Sequence, residues 1–254
     1  SAGGHAADGA DGLRGAALMP MCTTGAGPAA ALLGSSGPTV LLNAAYLTDT
    51  LLNDAALPIA NGDSVASWAT ATGGTFTQAL ADAAGADSTF CIFTTADGVQ
   101  TGGNNAALTT ATPITIPANA DCVIYAKCVY AGGDFYLFGK SDGASYIQFD
   151  ENNGAAVKGD GGGSAGTLAY PVPGSYLFRA RRASNVWRFA WTGQSDFVAD
   201  SDTLAGGAVT VDTLLAANSM ASFSASGNYL QKIYIRHGTS APDTAYETSN
   251  GGAL

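Results

Sequence analysis

From Pro58 onward the chain is cut at short intervals by clusters of turn-forming residues such as AGGD (131–134), KSDGA (140–144) and DENNGA (150–155). The runs between them are short and alternate bulky with small or polar side chains. That is the period of a strand with one buried face. Many short strands at this spacing predict a sandwich or barrel. The acids agree: of 20 acidic residues only Glu151 and Glu247 are glutamate, and Asp with Asn, Gly, Ser and Thr favours turns and strand ends over helix interiors. Strands are expected near Val65–Trp68, Thr89–Phe93, Ala107–Ile116, Cys122–Tyr130, Phe135–Gly139, Tyr146–Asp150, Thr167–Ala169, Ser175–Arg182, Asn185–Thr192, Ala208–Val211, Met220–Phe223 and Tyr229–His237. No internal repeat is visible.

One stretch, SYLFRARRASNVWRFAWTG (Ser175–Gly193), reads as a tight hairpin. Tyr176, Phe178 and Ala180 share one face of its first strand, and Trp187, Phe189 and Trp191 share one face of its second. Arg179, Arg181 and Arg188 fall on the opposite face, while Arg182 sits at the strand end, where it is expected to turn out into the loop. The aromatic face is either a sandwich core or a platform for stacking sugars. The core reading accounts for the whole pattern, with the arginine face looking outward.

Before Pro58 the character changes. Residues 1 to about 38 are rich in Gly and Ala, and no charged residue occurs between Arg14 and Asp49. The few glycine triplets near Gly9, Gly12 and Gly15, without proline, cannot hold a collagen helix. An extended arm is expected over residues 1–57. It includes a strand and then a short helix within Val40–Leu57, where Leu47, Leu51 and Leu52 have helical spacing. The sandwich is expected over 58–254. The stretch Pro28–Leu47 is broken by Gly34-Ser35-Ser36-Gly37-Pro38, so no membrane span is expected. Ser1 is what removal of an initiator Met leaves, no signal peptide is visible, and synthesis in the cytoplasm is expected.

The net charge is −10 with only 10 Lys plus Arg, which argues against binding a nucleic-acid backbone. Charged residues make up 12% of the chain, about half the usual share, so a surface covered by sister copies or a partner is expected. Cys22, Cys91, Cys122 and Cys128 form no C-x-x-C pair, so a zinc site is not expected. Cys122 and Cys128 lie six residues apart on one strand, too far to bridge, and buried thiols are expected.

Several short motifs fail on context. GKSDG (139–143) and GGSAG (162–166) match the nucleophile-elbow pattern, but Ser141 is flanked by strands, and only His5 and His237 are available as a base. GGGSAG (161–166) leads into a strand rather than a helix, so it lacks the N-terminus that would bind phosphate. Asp134 stands where a P-loop ending in Gly139-Lys140-Ser141 needs its first glycine. Asp196, Asp200 and Asp202 could offer oxygens to calcium. They lack EF-hand spacing, and a polar loop is the preferred reading. No catalytic, cofactor-binding or metal-binding residue is therefore assigned, and no cofactor is expected.

Taken in order, NGDSVASW (61–68), FTQAL (76–80), GGDFYLFGKSDGASYIQF (132–149), GSYLFRARRASNVWRFAWTG (174–193) and GNYLQKIYIRHG (227–238) resemble the strands of concanavalin A-like, laminin-G-type jelly rolls. The resemblance implies an all-β sandwich of two antiparallel sheets, of a kind found in lectins, in secreted bacterial proteins and in phage structural proteins. The E-x-D-x-E-type strand of the glucanase members is absent, so a chain that is not an enzyme is expected. With the uncharged arm and the low charge, this implies a virion structural protein, a capsid decoration or head-fibre subunit. Its residues 1–48 would contact sister subunits or the major capsid protein, and its sandwich would touch host-cell glycans. A secreted or surface-displayed carbohydrate-binding module is the alternative, and a divergent glycosidase using Asp200 and Asp202 is a third.

Overall fold

The computed structural model describes residues 40–43, 51–52, 59–70, 75–80, 91–101, 106–140, 146–150, 154–158, 172–192, 197–198, 207–217 and 222–251. Its strands are β1 (Val40–Asn43), β2 (Leu51–Leu52), β3 (Ser67–Ala69), β4 (Thr75–Leu80), β5 (Ile92–Thr94), β6 (Gly98–Gln100), β7 (Ala106–Ile116), β8 (Cys122–Tyr130) and β9 (Phe135–Gly139). They continue with β10 (Tyr146–Asp150), β11 (Gly154–Lys158), β12 (Gly174–Ala183), β13 (Val186–Trp191), β14 (Phe197–Val198), β15 (Val209–Leu214), β16 (Ala216–Ala217), β17 (Ser222–Phe223) and β18 (Tyr229–His237), followed by helix α1 (Thr244–Asn250).

The protein is an all-β sandwich of two antiparallel sheets. The first runs β14-β13-β12-β8-β18-β6-β5, and the second β11-β10-β9-β15-β7-β4-β3-β2. β8 occupies one edge of β18 along its length, so β6, at Leu230, and β1, at Lys232–Ile235, share the other edge. One apolar core lies between the sheets. The first sheet contributes Ile124, Ala126, Phe178, Phe189 and Ile233, and the second contributes Trp68, Phe76, Leu108, Phe138 and Val211. Each strand supplies alternate residues, which is why the alternation read from sequence marks the inner face.

The 175–193 hairpin follows the core reading. Phe178, Ala180, Trp187, Phe189 and Trp191 are all buried in the shared core, with Tyr176 packed against it. Ala183 pairs with Val186 across a two-residue turn in which Ser184 (φ 49°) and Asn185 (φ 65°) are both left-handed. That is the hand that suits the twist of a hairpin. The sugar-platform alternative is excluded for these rings, because they face the other sheet.

Three expectations are corrected. Leu51–Leu52 is a strand and not part of a short helix, because its backbone pairs with Ser67 and Trp68. Both β1 and β2 precede residue 58 yet pair with strands that follow it, so the sheets reach back across the boundary expected at 57/58. Arg182 does not turn outward. It has the same parity as Tyr176, Phe178 and Ala180, it is fully buried, and it closes one end of the sandwich. Its Nε donates to the Ala120 carbonyl at 2.7 Å, Nη1 to Gly207 at 2.6 Å and Nη2 to Pro117 at 2.6 Å. The guanidinium also lies 5.4 Å from the Trp187 ring centroid. The strand expected at Thr167–Ala169, the arm before residue 40, Ser141, Gly162–Gly166 and the Asp196, Asp200 and Asp202 cluster lie outside the described residues.

Candidate binding site

The outer face of the first sheet carries the polar chemistry of the described chain. The register sets its side chains in rows across β12, β8 and β18: Leu177, Lys127 and Lys232; then Arg179, Tyr125 and Tyr234; then Arg181, Val123 and Arg236. Helix α1 lies on this face. Asp243 caps it, its Oδ1 accepting from the Tyr246 amide at 3.0 Å. Tyr246 stacks on Tyr234 with ring centroids 4.6 Å apart and meets Tyr125 at 5.1 Å, and the three rings form a second apolar cluster with Val123 and Leu177.

A buried polar network ties the helix down. Arg179 Nη1 and the Tyr125 hydroxyl both donate to Glu247 Oε1, the latter at 2.8 Å. The Tyr125 hydroxyl accepts from the Asp243 amide at 2.7 Å, and the Tyr234 hydroxyl donates to Asp243 Oδ2 at 2.9 Å. Burial pushes the Tyr125 and Tyr246 hydroxyls well above the ordinary tyrosine range, and Tyr234 up to about 12. The arginine face of the hairpin does point away from the core, as expected. Arg179, however, is covered by α1 and held by a carboxylate, so solvent does not reach it. The Tyr246 hydroxyl finds no hydrogen-bond partner among the described residues; Glu247, Asp243 and the Tyr125 and Tyr234 hydroxyls are paired beneath the helix, and they build structure.

Beside this roof the face opens into a cleft of about 190 Å³ lined by Phe93, Thr94, Thr95, Ala96, Gly98, Lys127, Gln231 and Lys232. A β-bulge makes it. The register of β18 against β8 slips between Leu230 and Lys232. Leu230 and Ile233 both enter the core, so the two residues between them lie on the outer side. Strict alternation from Leu230 would have aimed Lys232 inward. Gly98 seats the bulge: its φ is +102°, and a Cβ there would stand 2.6 Å from the Leu230 carbonyl oxygen. Gln231 Nε2 donates to the Ala96 carbonyl at 3.3 Å, and Lys232 Nζ donates to Asn250 Oδ1 at 2.6 Å. The cleft is thus walled by the β5–β6 turn on one side and by the end of α1 near the other.

Sequence reasoning missed this cleft. Its signal was the spacing Leu230-x-x-Ile233-x-Ile235, a three-residue step inside an otherwise alternating strand. Cys91, Cys122 and Cys128 are free and buried, and burial pushes the first two up to about 12 and about 11. Among the described residues, no group of three His, Cys, Asp or Glu side chains is placed to hold a metal, and no helix is long and apolar enough to cross a membrane.

No protein-family model matches the chain. No curated protein matches it either. Among solved structures it is similar to Trypanosoma rangeli sialidase, at 12% identity and TM-score 0.47, over 83% of this chain and 32% of that one. It is also similar to a galectin of Caenorhabditis elegans (10% identity, TM-score 0.30, 51% of this chain and 94% of that one). A third is an alginate lyase of polysaccharide lyase family 7 (10% identity, TM-score 0.34, 78% and 94%). The chain spans 32% of the length of the sialidase it matches, and no residue of these proteins is carried over to it. The expectation that the chain is not an enzyme is corrected here. Two of these three neighbours are enzymes by name. None of the three is named as a phage protein.

Proposed function

We propose that this β-sandwich binds saccharide in the cleft between the β5–β6 turn and the β18 bulge. The observation that carries the reading is the bulge itself, which sets Gln231 and Lys232 side by side on the outer surface, across from Thr94 and Thr95. Sugar hydroxyls both donate and accept. A cleft offering an amide, two threonine hydroxyls and ammonium groups over an apolar floor suits them. The test is titration of isotopically labelled protein with a panel of monosaccharides, following the Gln231 side-chain amide. Saturable shifts there, lost in Gln231→Ala, support the reading. Shifts that survive the substitution, or no shift with any sugar, overturn it.

A second reading concerns the setting of this domain. The chain carries 12% charged residues and none between Arg14 and Asp49, which favours a subunit held in a larger assembly through residues 1–48, such as a phage capsid decoration or head-fibre protein. Since β1 begins at Val40, the informative deletion is residues 1–38. On this reading the shortened chain keeps the unfolding transition of the full chain but no longer joins the assembly, and full occupancy after deletion counts against it.

A further inference from the structure

The cleft holds an unusual pair of charges. Lys127 on β8 and Lys232 on β18 are direct partners in the register, and both are half-buried. Like charges directly opposite one another across a sheet are destabilising. Soluble proteins generally answer such a pair with a carboxylate, and this chain has twice as many acids as bases, 20 against 10. Even so, neither lysine makes an ion pair among the described residues. Among the described residues, Lys232 has only the neutral Asn250 amide oxygen, and Lys127 makes no hydrogen bond or ion pair. Burial and the neighbouring Lys127 both lower the pKa of Lys232. Two of the ten basic side chains therefore face each other in a concavity, on a strongly acidic chain, with no counter-charge among the described residues.

We infer that the cleft takes a saccharide unit bearing a negative charge, a carboxylate or a sulfate ester, set between Lys127 and Lys232. This rests on the saccharide-binding reading above and narrows it to a ligand class. The anion supplies the missing counter-charge, while Gln231, Thr94 and Thr95 face the hydroxyls of the same ring. At about 190 Å³ the cleft is smaller than the roughly 300–1,000 Å³ typical of pockets that enclose a whole drug-sized ligand, so it holds a single sugar unit. Lysine ammonium groups act as point charges without the fixed fork of arginine, so either anion is accepted.

The experiment compares four probes on the full chain: methyl glucuronide, a glucose 6-sulfate, methyl glucoside and inorganic phosphate, each read at the Gln231 side-chain amide and by calorimetry. At least one charged sugar is expected to bind about tenfold or more tighter than the neutral one, the scale of one charge-assisted hydrogen bond. Lys127→Met is expected to abolish that preference, and Lys127→Arg to keep it. Lys127 is the residue to change because it makes no hydrogen bond or ion pair among the described residues, and the unfolding transition of each variant checks that it has folded. Equal binding of charged and neutral sugars, or an unchanged preference in Lys127→Met, overturns the charge inference and leaves saccharide binding intact. Inorganic phosphate binding as tightly as the charged sugars also overturns it, since the site would then read charge alone. If no sugar shifts Gln231, the saccharide reading fails first and this inference falls with it.

Discussion

Glu247 of α1 and Arg179 of β12 form an ion pair across 68 residues of sequence, with side-chain exposures of only 3% and 4%. The pair sits under the helix that roofs the outer face, with Tyr125 as a second donor to the same carboxylate oxygen. Seven residues are too few for a helix to stand alone in water, so α1 owes its existence to this contact and to the Tyr246–Tyr234 stack.

Glu247→Ala is therefore expected to lose about 3–5 kcal/mol in urea unfolding, the usual cost of stranding one partner of a buried pair. Arg179→Met added to it is expected to recover much of the loss, because the stranded charge is gone. A loss below about 1 kcal/mol would class the pair with exposed bridges and contradict the burial described.

Arg182 offers the second test. Three carbonyls from Pro117, Ala120 and Gly207 depend on one guanidinium. Arg182→Leu removes the guanidinium and strands all three, at about 1–3 kcal/mol for each one left unsatisfied. Arg182→Lys is expected to rescue little, since one ammonium cannot reproduce a planar fork. Full rescue by lysine, measured by thermal unfolding, would mean that charge rather than geometry matters at this end of the sandwich.

These two arginines show where sequence was legible and where it was not. Cys122–Tyr130, Phe135–Gly139, Tyr146–Asp150 and Tyr229–His237 are bounded as expected, because turn residues punctuate them and alternation is a local property. Parity alone placed Arg182 inward, but its place at the strand end let it turn out into the loop, and the carbonyls that accept it come from segments 25 to 65 residues away. Helix α1 carries a cap signal at Asp243, yet only packing on strands far back in the chain stabilises it. The Lys127–Lys232 pairing is likewise a matter of register between strands about a hundred residues apart, which no local pattern encodes.

Alkaline pH is expected to destabilise the fold. Burial raises Cys91 to about 12 and Cys122 to about 11 from an ordinary 9.0, and Tyr234 to about 12 from 10.0. The folded state thus keeps protons that the unfolded chain releases as pH climbs through the ordinary values. The unfolded state then binds fewer protons than the folded one, and stability falls with rising pH. The contribution is complete below about pH 9 and is lost progressively toward about pH 12. Urea midpoints measured at about pH 8 and about pH 10.5 check this, and a flat profile between them contradicts the burial of these groups.

Gly98 tests how the cleft is made. Its backbone is left-handed, and an added Cβ would meet the Leu230 carbonyl oxygen at 2.6 Å and Gln231 Cα at 3.0 Å, both main-chain atoms that no rotamer change can move. Gly98→Ala therefore strains both strands at once, at about 1–3 kcal/mol. To relieve it, β18 has to shift at the bulge that sets Gln231 and Lys232 on the outer surface. The expected outcome is a lower melting temperature together with a displaced Gln231 side-chain amide resonance and loss of its hydrogen bond to Ala96. Ala118→Ser, at an exposed position in the turn between β7 and β8, is expected to change neither. If Gly98→Ala melts like the parent and leaves the Gln231 resonance in place, the bulge is not pinned by this glycine and the cleft owes its shape to something else.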